Sequence, residues 1–524
     1  MNQSNNPSRG IHRRDLIKGM TAASLGFAAG AVGIPESFGQ ASVSSTSRRN
    51  LIQIENAKPG TRDWQLTKTR QLPGKINKIL NDGRCPWIEG YCSANSIRAG
   101  ETLQIMVSTN PASPFKLEIF RTGYYSGDGG RLVRTYDALQ GIAQPDPSVG
   151  KDYLRECQWE PSVEFEIPED WLSGVYLGKL TEETSGIQSY VIFIVRDDRP
   201  CDLLFQCSEL TWSAYNRWPA DFSIYTPHDG RSSTAAPSGA VSFDRPYGLF
   251  THPVNKHTTS GGSGEFLPWE FPLSFWLEQH GYDVSYISNI DTHADPAGLL
   301  RTKGFISLGH DEYWSLEMYD NVLKARDAGV SLAFLCANAV LCVVPLLPSG
   351  KGAPNRTIQR VGWFMPPELG LRNAVPGFEP AMGPDGSLLM GNRTTPPVRG
   401  AGDWTCAKPE HWLFEGTGMK KGDSIEGLVG WEFHGAPAMD LPGMQVVAEG
   451  ETSINGKVPG HYTATIYDGP KGNIVFNAAT IWWANGVSSP PGHKNPTRHG
   501  VTQQGVDKRV QQLTHNLFQR MIKP

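Results

Sequence analysis

Between residues 50 and 197 apolar positions recur every second residue. Leu103, Ile105 and Val107 alternate with smaller or polar neighbours, Leu117 goes with Ile119, and Val163, Phe165 and Ile167 are separated by Glu164 and Glu166. Val175 and Leu177 follow a Ser-Gly turn, and residues 190–195 form a last apolar run. Successive side chains of a strand point to opposite faces, so this spacing predicts half-buried strands. Gly, Pro and Asn turns separate them and no convincing helical period intervenes, which predicts an antiparallel β-sandwich. Residues 121–131, with Gly123-Tyr124-Tyr125 and Gly127-Asp128-Gly129-Gly130, read as a structural loop leaving it, with a carbohydrate or partner contact as the alternative.

After Arg199-Pro200 the pattern changes. Residues 202–205 are a buried-strand run, 268–281 have helical period and stop at Gly281, and 283–287 and 304–308 are strands. An amphipathic helix is predicted over 315–328 with Ser315 as N-cap, followed by a strand at 331–335. Later strands are expected at 427–433, 445–448, 463–467 and 474–478. Strands alternating with helices at this spacing predict a parallel sheet covered on both faces. The chain thus divides into a β domain at 50–197 and an α/β domain at 198–524. Residues 345–409, rich in Gly, Pro and Arg, read as a long insertion into the second. No internal repeat is present.

Composition narrows the class. The 524 residues suffice for two or three domains, and 57 Gly, 39 Pro and 15 Trp point to long loops and many turns. A net charge of -4, with no basic patch, argues against a nucleic-acid binder. His12-Arg13-Arg14-Asp15-Leu16-Ile17-Lys18 has the twin-arginine pattern, followed by a modest apolar run at 20–34 and small residues up to Ala41. That run is too short and too weak to span a membrane, so residues 1–41 read as a cleaved export signal and the mature chain as periplasmic or secreted, without a stable membrane span. The alternative is a basic leader with a chance Arg pair. Eight cysteines are compatible with an exported protein, but none has zinc-site spacing and their pairing stays open. Cys85 and Cys92 bracket a Pro-Trp loop; Cys201, Cys207, Cys336 and Cys342 sit in apolar, strand-like contexts and read as buried thiols.

Candidate chemistry concentrates in three segments: T-W-S-A-Y-N-R-W (211–218), S-I-Y-T-P-H-D-G (223–230) and L-G-H-D-E-Y-W (308–314). Ligands of open α/β sheets bind beyond the carboxyl ends of the strands. Tyr215 lies past the first strand, His310 and Glu312 past a later one, and Asn338 past the strand ending near Cys336. Phenolates and a carboxylate are hard oxygen donors, so Tyr215, Tyr225 and Glu312 suit a high-valent cation such as Fe(III). Three structural readings compete: Glu312 as a carboxylate at the N-terminus of the Ser315 helix, His310 as a core histidine, and the aromatic residues as packing.

From the β domain onward the chain resembles the N,N-dimethylformamidase large (beta) subunit family. The resemblance is carried by F-R-T-G-Y-Y (120–125), A-Y-N-R-W, V-S-F-D-R-P-Y (241–247), the helix before G-Y-D-V (281–284), and G-H-D-E-Y-W. It implies a sandwich joined to a glutamine-amidotransferase-like, three-layer α/β domain, and a mononuclear iron held by two tyrosines and a glutamate. By motif the glutamate is Glu312 and the first tyrosine Tyr215. The second is Tyr225, with Tyr247 competing. A supporting histidine matches His310, the site asparagine Asn338 and a catalytic glutamate Glu432. Gly-His-Asp-Glu stands here where the family often has Ser-His-Pro-Glu, and Cys-Ala-Asn where it often has Gly-Gly-Asn, which opens the question of substrate.

The reaction implied is Lewis-acid hydrolysis of a small amide or formamide, with Glu432 or His310 shuttling protons and Asn338 donating to the oxyanion. A homo-oligomer or a small accessory subunit is compatible with it. Two rivals remain: a Cys336-dependent hydrolase with His310 as partner, and a non-catalytic exported protein whose aromatic cleft binds sugar or peptide.

Overall fold

The computed structural model describes residues 50–70, 84–220, 222–227, 230–248, 260–457 and 459–523. The expected export signal at 1–41 lies outside them. Residues 49–524 form one compact unit. It is β-rich, with a smaller helical share. Among the described residues no helix is long and apolar enough to cross a membrane.

The period-two segments form two sheets. Strands β1 (Glu89–Cys92), β3 (Thr102–Ser108) and β6 (Pro161–Glu166) make an antiparallel three-stranded sheet in the order β1-β3-β6. Five strands make the other in the order β2-β8-β7-β4-β5: β2 (Ser96–Arg98), β4 (Pro114–Thr122), β5 (Gly130–Gln140), β7 (Gly174–Glu182) and β8 (Gln188–Arg196). The β2–β8 pair is parallel, a departure from the all-antiparallel expectation. Leu103, Ile105, Leu117, Ile119, Phe165, Tyr176, Val191 and Phe193 of the two sheets share one apolar core.

The opposite face of β7 and β8 is buried as well. Val175, Leu177, Ile192 and Ile194 pack in a second core with Phe271 and Phe275 of helix α3 (Phe271–Gln279). These strands are therefore covered on both sides and lack the polar face that half-burial predicts. The same seam holds a fully buried ion pair, in which Arg121 of β4 meets Glu278 of α3 at 2.8 Å.

The second half is organised by a seven-stranded sheet. In chain order its strands are β9 (Cys201–Cys207), β10 (Val284–Ser288), β11 (Thr302–Gly309) and β12 (Ser331–Cys336), then, after a small ladder of β13 (Thr394–Arg399) with β14 (Glu432–His434), β15 (Gln445–Ser453), β16 (Pro459–Asp468) and β17 (Ile474–Asn477). Spatial order is β10-β9-β11-β12-β17-β16-β15, parallel from β10 to β17 and antiparallel for the last two. The single strand expected at 427–433 is split. Ser424–Val429 and β14 join different two-stranded sheets, and between them Trp431 turns into an apolar cluster with Trp269 and Trp482.

The helices include α1 (Leu51–Asn56), α2 (Glu209–Tyr215), α3 (Phe271–Gln279), α4 (Leu316–Ala328) and α5 (Lys508–Ile522). The Ser315 hydroxyl caps α4 by accepting from the Met318 N–H at 3.0 Å, and Gly329 at φ +114° ends it. The 345–409 stretch is more than a loop. It contains short strands and sends Ile358, Trp363, Phe364, Leu389 and Met390 into the core beside α4.

Candidate active site

Strand β11 ends at Gly309, whose φ of +67° is one that residues with a Cβ rarely adopt. A Cβ there would also lie 2.9 Å from that of Trp269. This turn carries His310, Asp311 and Glu312, all buried, off the rim of the sheet. The next residues are tied down by their neighbours. Asp311 accepts from Gln206 Nε2 and Ser307 Oγ at 2.7 Å each and from Asn289 Nδ2 at 3.1 Å. The Glu312 N–H donates to Thr211 Oγ1 at 3.0 Å, while its carbonyl accepts from the N–H groups of Leu341 and Cys342 at 3.0 Å.

With its backbone fixed, the Glu312 carboxylate receives two phenols. Tyr215, the last residue of α2, donates to one oxygen at 2.7 Å, and Tyr225 donates to the other at 3.0 Å. The two phenol oxygens are 3.3 Å apart. A third phenol, Tyr313, donates to Tyr225. Tyr247 lies elsewhere, against the Trp212 ring. Glu312 therefore faces the two tyrosines, and the acidic residue in the first turn of α4 is Glu317.

On the other side of Glu312 stands His310. Its Nε2 is 3.3 Å from both a Glu312 oxygen and a Glu432 oxygen, and its Nδ1 is 3.5 Å from Glu265. Glu432 comes from β14, directly opposite Arg399 of β13 in the ladder, with Arg399 Nε 3.8 Å from its other oxygen. Asn338 follows β12 with φ +54°, and its side-chain oxygen accepts from Thr394 Oγ1 at 3.0 Å.

Electrostatics follow from burial and neighbours. Burial pushes the Tyr215 and Tyr225 phenols well above their ordinary value, and the Glu312 charge adds to this. Arg360, its guanidinium 5.2 Å above the Tyr225 ring, pulls that phenol the other way. Burial would also raise Glu312, but hydrogen bonding and charge from His310 and bonds from both tyrosines outweigh it and hold the carboxyl low. Burial disfavours the His310 cation, yet Glu265, Glu312 and Glu432 together raise it well above the usual histidine range.

Among the described residues no group of three His, Cys, Asp or Glu is placed to hold a metal ion. The donor set fits a hard cation. Four oxygens make it up: the two phenol oxygens are 3.3 Å apart, and each lies 2.7 or 3.0 Å from a different oxygen of the Glu312 carboxylate, close to the roughly 3 Å between neighbouring ligand oxygens about 2.1 Å from one ion. Ionised, two phenolates and a carboxylate match a high-valent ion in charge and hardness.

All eight cysteines are free and buried. Burial and the Asp311 charge hold the Cys336 thiol well above its usual range, and its neighbour at 3.6 Å is Ser307 Oγ.

A family model described as N,N-dimethylformamidase beta subunit-like, C-terminal, matches residues 116–497. The chain belongs to this family. Among individual relatives, an N,N-dimethylformamidase beta subunit from Alcaligenes sp is 25% identical over 38% of this chain and 29% of its own length. The aligned part thus spans less than a third of that relative. The matched span contains Tyr215, Tyr225, His310, Glu312, Asn338 and Glu432.

Proposed function

We propose that this chain is an exported, iron-dependent amidohydrolase that cleaves the C–N bond of a small amide, with Tyr215, Tyr225 and Glu312 holding a mononuclear ferric ion. The observation that carries this is the convergence of two phenols on the two oxygens of one carboxylate, beside a buried His310–Glu432 pair. Family membership supports the reaction class. In this reading the two N-terminal sheets are a β-sandwich, and the seven-stranded sheet belongs to a glutamine-amidotransferase-like domain.

A ferric ion there supplies Lewis acidity, polarising the amide carbonyl and making hydroxide available near neutral pH. Glu312 stays ionised and takes no proton. Glu432, 3.3 Å from His310, accepts a proton from the attacking water as the water oxygen bonds to the carbonyl carbon. His310 and Glu432 then return that proton to the amine nitrogen as the C–N bond breaks, giving carboxylic acid and free amine, and the acid's remaining water-derived proton passes to the amine so that carboxylate and protonated amine leave. Asn338, with its oxygen occupied by Thr394, has its Nδ2 hydrogens available to donate to the oxyanion.

The test is iron content and colour of the purified protein together with hydrolysis of a panel of formamides and amides, run on wild type, Tyr215→Phe and Glu312→Ala. Retention of both iron and activity by the two variants removes the reading. Iron-free protein that neither hydrolyses amides nor gains activity on iron loading leaves the aromatic-cleft binding protein. Export is tested separately: the chain is expected in the periplasm with its N-terminus near Ala41, and Arg13→Lys with Arg14→Lys retains it in the cytoplasm. A homo-oligomer or a small accessory subunit is read from the mass of the native particle.

A further inference from the structure

We propose that Arg399 and Arg498 form a docking point for a substrate carboxylate, so that the preferred substrate is an anionic amide of the N-acyl amino acid type and not a neutral formamide. This rests on the hydrolase reading above and deepens it.

Several arginines elsewhere in the fold are closely paired with carboxylates. Arg199 meets Asp283, Arg356 meets Asp244 and Arg509 meets Asp507, each at 2.6 Å. Arg399 differs. Its nearest carboxylate oxygen, on Glu432, is 3.8 Å from Nε, too far for a hydrogen bond, and its side chain is 51% exposed beside the site. Arg498 reaches the same neighbourhood from a hairpin formed by Thr497–Arg498 and Val501–Thr502. The hairpin is anchored by Val501, which packs on the Trp269–Trp431–Trp482 cluster, and by the His499 carbonyl, which accepts from the Asn455 N–H at 3.1 Å. Arg498 Nε is buried and makes no hydrogen bond among the described residues.

Glu432 thus has Arg399 at 3.8 Å and feels the charge of Arg498, and its other oxygen is 3.3 Å from His310. His499 is pushed down to about 4 by burial and by Arg498 and Arg399, so it adds no positive charge near neutral pH, and Tyr215, Tyr225 and Glu312 also act on Arg399. Burial, and after it the Arg399 charge, hold Arg498 below the ordinary arginine value while Glu432 opposes them. Like charges brought together beside a reaction site favour an anion. A planar carboxylate matches the fork of an arginine better than a spherical ion does. Arg498 is also the first residue beyond the family-matched span of 116–497.

The experiment compares N-formylglycine with N-methylformamide, two formamides that differ by one carboxylate, on the iron-loaded full chain. kcat/KM is expected to favour N-formylglycine by about tenfold or more, and this ratio to collapse towards unity in Arg498→Met and in Arg399→Gln. Arg498→Lys, which keeps the charge but loses the fork, should retain an intermediate ratio. Calorimetric binding of N-formylglycine to the same proteins separates the two levels of the proposal. Hydrolysis of both amides at equal kcat/KM overturns the carboxylate site and leaves the hydrolase intact. Binding of N-formylglycine that Arg498→Met abolishes, without hydrolysis of either amide, keeps the site and sinks the hydrolase. A preference that survives both arginine substitutions overturns the assignment of these residues.

Discussion

Arg121 and Glu278 form a two-point ion pair without solvent contact, at 2.8 and 3.0 Å, across the seam between the N-terminal sheets and helix α3. The same carboxylate accepts from Asn56 Nδ2 at 2.8 Å and Tyr286 OH at 3.0 Å, so four elements depend on it. Removing one partner leaves a buried charge uncompensated. Arg121→Met is expected to cost about 3–5 kcal/mol, read as a fall in the urea midpoint. Arg121→Met with Glu278→Leu should recover much of that loss. A double variant no better than the single would mean the pair acts through packing.

Acid sensitivity has a specific source nearby. Burial alone would raise the Glu55 carboxyl, but Arg121, Lys58, Tyr125 and Arg131 hold it at about 2. A group whose folded pKa is depressed stabilises fully above its unfolded value, and the contribution fades as pH falls through the folded one. Wild type should therefore lose stability between about pH 4.5 and about pH 2 more steeply than Glu55→Gln. Parallel acid limbs in chemical denaturation would rule this out.

Tyr225 and Tyr247 offer a direct comparison. Only the first donates to Glu312, while the second packs on Trp212. Tyr225→Phe is expected to lose most bound iron and the visible phenolate-to-iron absorption, and Tyr247→Phe to keep both. The reverse result would move the ligand to position 247.

Iron uptake should release protons. Burial and the Glu312 charge keep the Tyr215 and Tyr225 phenols protonated, and both must ionise to bind a hard cation. Loading metal-free protein in weak buffer should liberate about two protons per iron, and apparent affinity should climb with pH. No proton release would exclude phenolate ligation.

The thiols make the opposite prediction. With every cysteine buried, alkylation of the native protein should leave activity intact, and label should enter after unfolding. Inactivation proportional to early labelling would restore the Cys336 mechanism.

What was legible in the sequence follows the physics of each element. Leu103, Ile105 and Val107 alternate because one face of β3 meets the core, and Ser315 reads as a cap because its hydroxyl meets an unsatisfied helix N–H. Helix α2 left no trace because six of its seven residues are buried, polar Glu209, Thr211 and Ser213 among them, so no apolar stripe sets a buried face against an exposed one. Helix α5 carries its signal openly in Val510, Leu513, Leu517 and Met521, although a reading centred on strands omits it. Within the site, Tyr215, Tyr225, His310 and Glu312 stood in recognisable segments. Tyr313 did not stand out, since neighbours in an extended segment point opposite ways and it sits beside Glu312. Glu265, Arg360 and Arg399 arrive from distant stretches, and no local spacing announces such convergence.

The 345–409 excursion has one more consequence. Tyr215, His310 and Glu312 belong to the rim of the central sheet, whereas Arg360 and Arg399 are both delivered by this one stretch of chain. The residues proposed to break the bond and Arg399, one of the two arginines proposed to set the charge preference of the cleft, thus come from different lengths of sequence. Exchanging the excursion between relatives offers a way to retune which amides are admitted while the machinery that breaks them stays in place.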